Sequence, residues 1–181
     1  DGQADPVNIT QALAKGARNN DVVIHQGVKV NGIMQIDGRV TGVKTNAGNI
    51  AADYVVNAGG MWAREIGHLA GVTVPLHACE HFYIVTEAIP ELNANLPVLR
   101  VPDECAYYKE DAGKILLGAF EPNSKPWGMN GIPDDFEFDS LPEDFDHFEP
   151  ILERAVERFP VLATAGIQTF FNGPESFTPD D

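Results

Sequence analysis

Val55-Val56-Asn57-Ala58-Gly59-Gly60-Met61-Trp62 is the stretch on which the reading of this chain turns. A β-branched run from Tyr54 ends in glycines, and a helical pattern follows from about Met61 to Leu69. A strand that closes on glycines lets backbone approach a ligand, and the start of the next helix can face an anion. The segment is not a GxGxxG, and no GxGxxG occurs in the chain. By itself it fits an ordinary strand-turn-helix as well as a cofactor turn.

Upstream, Pro6 opens a helix over 6–20, with Ile9, Ala12, Leu13 and Ala17 on one stripe and Asn8 or Thr10 as capping residues. Val22-Val23-Ile24-His25 reads as a short buried strand. Asp37-Gly38 lies between two alternating runs, which predicts a hairpin, and Asn46 to Asn49 turns the chain into a third strand. Downstream, Val72 to Glu87 is strand-like, and Pro90 to Pro97 is loop. Residues 106–118 form a second hairpin, 121–143 a long loop, and 144–159 a helix with Phe148, Leu152, Ala155 and Phe159 on one face. From Ile167 the chain is strand-like for a few residues. The expected class is therefore α+β, with residues 1–71 and 72–181 as separate parts. The α/β pattern of the first part wants further parallel strands, and the chain opens on Asp1 rather than Met, so the expectation is a piece of a longer protein.

Bulk properties exclude several classes. At 181 residues with 44% hydrophobic and 22% charged residues, the chain can bury a core. It has no apolar run of about 18 residues, so no transmembrane helix is expected, and its start has no signal-peptide pattern. A net charge of −15 repels phosphate backbones and argues against nucleic acid. Eight acids and no Lys or Arg fall between Asp134 and Glu149, which reads as a solvated surface segment. Cys79 and Cys105 form no metal spacing, and free thiols fit a reducing compartment. No histidine pair has convincing metal-ligand spacing, and Ser176 lies in no GxSxG elbow.

The order of parts (helix, short strand, Asp-Gly meander, then Asn57-Ala58-Gly59-Gly60 and Trp62) resembles FAD-dependent oxidoreductases of the D-amino-acid oxidase type. Further segments resemble the dimethylglycine/sarcosine dehydrogenase branch. They are Asp1 to Pro6, Glu80 to Glu87, Ala106-Tyr107-Tyr108-Lys109, Gly118-Ala119-Phe120-Glu121-Pro122 and Asn172 to Asp180. The resemblance implies part of a split FAD-binding domain beside an antiparallel-sheet substrate domain. It also implies that the GxGxxG loop, the flavin-linking histidine and a closing flavin segment belong to the longer enzyme, and that the isolated chain holds no FAD and is inactive. The implied substrate is a small N-methylated amino acid, with a folate or electron-transfer partner. The implied compartment is the cytoplasm, or the mitochondrial matrix in a eukaryote.

By the same resemblance His81 and Tyr107 are catalytic. Val30, Ala58, Gly59 and Trp62 contact the cofactor, and Tyr83, Glu175 and Phe177 line the substrate side. The residues alone allow plainer roles: His81 as a satisfied strand histidine, Tyr107 as a packed strand aromatic. The chemistry suits the first assignment. Oxidising an amine needs the nitrogen lone pair, so a bound ammonium must lose a proton, and a histidine with a tyrosine in reach can take or relay it. A carboxylate substrate also needs a cation, for which Arg100 and Lys109 are the local candidates. Two alternatives stay open: a non-catalytic binding or regulatory module of the same fold, and a flavoenzyme for another amine.

Overall fold

The computed structural model describes residues 3–120 and 122–180. Asp1, Gly2 and Glu121 of the quoted motifs lie outside the described residues. The chain divides into two compact units, one running to Pro75 and the other beginning at Leu76.

In the first unit, helix α1 (Pro6–Arg18) starts on Asp5, whose carboxylate accepts from the Asn8 backbone N–H at 2.6 Å. Asp5 therefore caps the helix, not Asn8 or Thr10, and Pro6 takes the first helical position, where a missing N–H costs nothing. Strands β1 (Val30–Ile36), β2 (Arg39–Thr45) and β3 (Gly48–Ala51) form the expected antiparallel meander. Asp37 and Gly38 take φ of 49° and 76° between the paired Ile36 and Arg39, the conformation a two-residue hairpin turn needs. A 3-10 turn at Gly60–Trp62 then leads into helix α2 (Ala63–Leu69). Gln35 on β1 donates to the Ala70 carbonyl at the end of α2, at 2.9 Å.

Two expected strands are absent. Val22–His25 and Tyr54–Val56 run as unpaired coil, with Val23 73% and Val56 86% exposed. β-branched residues favour a strand only where a neighbour takes up the backbone N–H and C=O groups and covers one face. No described segment of this chain pairs with either run.

The second unit is a sheet with one helix on it. Its strands are β4 (His77–Thr86), β5 (Leu99–Val101), β6 (Ala106–Asp111), β7 (Lys114–Ala119), β8 (Pro126–Trp127) and β9 (Ile167–Phe177). The order is β5-β6-β7-β4, with β8 also beside β4, β9 running along β4, and every pairing antiparallel. Ala78, Phe82, Ile84 and Thr86 alternate along β4 onto one buried face. Helix α3 (Phe145–Arg158) presses Phe148, Ile151 and Ala155 onto that face, and Phe82, Leu117 and Phe148 are the large side chains at its centre. Asp144 caps α3 by accepting from the His147 N–H at 3.1 Å, and pairs with Lys125. Strands β5 and β8, of three and two residues, are too short to show alternation in sequence. Strand β9 is longer than expected because Gly173-Pro174 lies inside it. Proline is tolerated in a strand that pairs on one side only, as β9 does.

Candidate active site

The sheet face turned away from α3 gathers the candidate site residues. On β4 the alternate residues His77, Cys79, His81, Tyr83 and Val85 point there. Directly opposed residues in an antiparallel pair share a face, so the register extends this set across the sheet. Arg100 opposes Tyr107, Tyr107 opposes Gly118, Gly118 opposes Tyr83, and Tyr83 opposes Phe171. One row therefore runs from β5 to β9. In the neighbouring row His81 opposes Gly173, and the Phe120 ring lies 4.5 Å from His81 and 5.5 Å from Tyr107 between ring centroids.

His81 and Tyr107 meet across these rows, with Nε2 and the phenol oxygen 3.1 Å apart. The contact depends on a missing side chain. The Tyr107 ring lies across β7 at Gly118, where a Cβ would stand 1.9 Å from Cζ and 2.1 Å from the phenol oxygen. Phe171 covers Gly173 in the same manner and stacks on Tyr83 at 4.7 Å. Burial pushes the Tyr107 phenol up to about 12, with Tyr83 and Glu175 adding to the shift and Arg100 opposing it. Phenolate is thus disfavoured, and near neutrality Tyr107 is a neutral O–H that can donate one hydrogen bond while accepting another. The Arg100 guanidinium lies 5.0 Å above the Phe120 ring.

The other expected substrate-side residues fall on the same face. Glu175 opposes Cys79, and Phe177 opposes His77. The Cys79 thiol also sits 3.4 Å from the His77 ring nitrogen. Asn172 instead points into the core, where its amide donates to Glu80 and to the Pro142 carbonyl, each at 2.8 Å. Sequence reading placed the Asn172–Pro179 segment, Gly173 included, on the substrate side, but missed Phe120, Phe171 and Gly118 as parts of this surface. The available signal was glycine inside a strand run, which marks close approach of another group.

The residues expected at the cofactor lie in the first unit. Val30 opens β1 and Trp62 closes the 3-10 turn, and both are partly exposed. Ahead of the helix, Asn57 accepts from the Gly59 N–H at 3.2 Å and donates to the Ala63 carbonyl at 2.8 Å, while Trp62 N–H donates to the Gly59 carbonyl at 3.0 Å. A Cβ at Gly59 would meet Ile66 Cδ1 at 2.4 Å, so the tip of Ile66 would have to shift to admit one. What Ala58, Gly59 and Gly60 present is nearly bare backbone. Among the described residues no group of three or more His, Cys, Asp or Glu is placed to hold a metal, and no helix is long and apolar enough to cross a membrane.

Comparison with known proteins completes the picture. The family model described as DAO, FAD dependent oxidoreductase, matches residues 1–181. The 4-methylaminobutanoate oxidase (formaldehyde-forming) of Paenarthrobacter nicotinovorans is 39% identical over 180 residues, covering 99% of this chain and 22% of that protein. The mitochondrial pyruvate dehydrogenase phosphatase regulatory subunit of Mus musculus is 39% identical over 183 residues, covering 99% and 21%. Mitochondrial dimethylglycine dehydrogenase of Rattus norvegicus is 35% identical over 188 residues, covering 99% and 22%. Among solved structures, L-proline dehydrogenase from P. horikoshii superposes with a TM-score of 0.79 at 25% identity, over 99% of this chain and 46% of that one. The chain thus spans about a fifth of the length of these curated relatives.

Proposed function

This chain belongs to the DAO family of FAD-dependent oxidoreductases, and from that premise we propose that it supplies the substrate-facing sheet of an enzyme oxidising N-methylated glycine, dimethylglycine or sarcosine. The observation that carries the reading is the 3.1 Å His81–Tyr107 contact on a face that also presents Arg100 and Glu175. FAD, when bound, supplies the acceptor for the hydride lost from the N-methyl carbon. Everything else required is proton handling and placement. The substrate ammonium must be deprotonated before its lone pair can assist loss of that hydride. Tyr107 can accept the ammonium proton on its oxygen as its own proton passes to His81 Nε2. Such a concerted shift suits a phenol whose free anion is disfavoured.

The glycine turn fits the flavin nucleotide on structural grounds. Ala58 is exposed beside the tightly packed Gly59, and Val30 and Trp62 offer partly exposed apolar surface. These four residues would hold the group. Residues up to about 71 would then belong to the cofactor-binding part and the rest to the substrate part. A folate or electron-transfer partner and a cytoplasmic or mitochondrial-matrix site belong to the same proposal.

Anaerobic single-turnover flavin reduction by dimethylglycine and sarcosine, in the full-length holoenzyme, tests it. His81→Ala and Tyr107→Phe should each slow reduction by about 10²- to 10⁴-fold, the usual worth of general acid–base assistance. Unchanged rates in both would remove the pair from the mechanism. A second reading, a regulatory module of the same fold, draws on the equal identity to a regulatory subunit and to an oxidase. A holoenzyme whose flavin no N-methyl amine bleaches would favour it.

A further inference from the structure

We propose that Arg100, seated on the Phe120 ring, recognises the carboxylate of the substrate, and that Phe120 is the positioning residue that aims it. The inference rests on the proposal that this sheet face binds an amino acid. It separates Arg100 from Lys109, which the sequence left equivalent.

Three observations carry it. First, Arg100 lies on edge strand β5, yet its guanidinium reaches over Phe120, whose ring also touches His81 and Tyr107. A cation held on an aromatic face keeps its in-plane N–H donors free to meet a carboxylate in bidentate fashion. Second, among the described residues no carboxylate pairs with Arg100, whereas Arg64, Lys125 and Arg158 each hold an acid. Lys109 has no ion pair among the described residues either, so position distinguishes the two: Arg100 is the cation held over the ring that touches the candidate catalytic pair. Third, Lys109 is two residues along β6 from Tyr107, in the row of Leu116 and Val85, on the side away from His81. That step places its Cα roughly 7 Å beyond Tyr107.

The opposite charge completes the pattern. Glu175 lies on β9, at the other end of the strand order from Arg100, and the Tyr107 phenol feels both groups. A cation and an anion flanking a proton-handling pair complement a zwitterion, with its carboxylate toward β5 and its ammonium toward Tyr107.

The test uses two probes on the FAD-loaded full-length protein, its flavin reduced beforehand so that neither probe can be oxidised, with Kd read by calorimetry. In 3-methylbutanoate, carbon replaces the nitrogen of dimethylglycine and the carboxylate is kept; in N,N-dimethylethylamine the nitrogen is kept and the carboxylate is a methyl. Arg100→Met should weaken 3-methylbutanoate by roughly 10- to 100-fold, the loss expected for a charged hydrogen bond, and affect the amine far less. Phe120→Leu should weaken the carboxylate probe in the same sense, and Phe120→Tyr should restore it. Lys109→Met should leave it where it was. Equal affinity in Arg100→Met and the parent, loss in Lys109→Met instead, or no binding of the carboxylate probe by the parent would each overturn the assignment. A parent that binds the probe through Arg100 but is not reduced by dimethylglycine would sink the amine-oxidation proposal and leave the carboxylate site standing.

Discussion

Gly118→Ala should behave as a catalytic lesion although residue 118 carries no chemistry. The added Cβ would stand 1.9 Å from Tyr107 Cζ, 2.1 Å from the phenol oxygen and 2.4 Å from Cε1. Carbon atoms in ordinary contact sit about 3.5–4.0 Å apart, so the ring must retreat by roughly 1.5–2 Å. His81 Nε2 is 3.1 Å from the phenol in the native arrangement. A retreat of that size away from β7 leaves little of a contact that weakens steeply beyond about 3.5 Å. Misplacing a reacting group by about 1 Å costs on the order of 10²-fold in rate, and loss of acid–base assistance about 10²- to 10⁴-fold. The obstructing atoms belong to a ring that can swing, not to backbone, so the stability cost should stay near the lower end of overpacking, about 1 kcal/mol. The assay is anaerobic stopped-flow flavin reduction beside thermal denaturation, for Gly118→Ala, Tyr107→Phe and the double variant. The slow step should be nearly the same in all three, because the second change removes a contact the first has already broken. Gly118→Ala with reduction within about twofold of the parent, or losses that multiply in the double variant, would refute the reasoning.

Three other outcomes follow from the same fold. Tyr107, pushed up to about 12 by burial, binds its proton more tightly folded than unfolded, so its contribution to stability is present below the unfolded value near 10 and is lost as pH rises toward 12; alkaline denaturation of Tyr107→Phe should lack that part of the fall. Asp144 is held below the usual carboxylate range by Lys125 and by the His147 N–H, so its contribution is present above the unfolded carboxylate pKa and is lost as pH falls through the depressed one. Asp144→Ala should cost about 1 kcal/mol at neutral pH in denaturant titrations and flatten the acid limb. Asn172→Ala leaves Glu80 and the Pro142 carbonyl without the amide that joins them, and should lower stability by about 1–3 kcal/mol in the same titrations.

The sequence by itself determined what local rules govern. Asp37-Gly38 specified its hairpin because few residue pairs accept two positive φ values in succession. The stripe of Phe148 and Ala155 specified the buried side of α3, because the helical period is fixed by backbone geometry. The motifs around Glu80–Glu87 and Asn172–Asp180 pointed to the family, which the match over the whole chain shows. Tertiary structure decided everything that depends on a neighbour. Val22–Ile24 and Tyr54–Val56 have strand composition but no pairing partner among the described residues, and composition cannot report a partner. His81 and Tyr107 are 26 residues apart, and only the register of β4, β7 and β6 sets one against the other. That register also gave Gly118 its meaning, since a glycine in a strand run becomes a seat for an aromatic ring only when its cross-strand neighbour is known. Arg100 and Lys109 were two equivalent cations in the sequence; the Phe120 ring, brought under one of them by the folded sheet, distinguishes them.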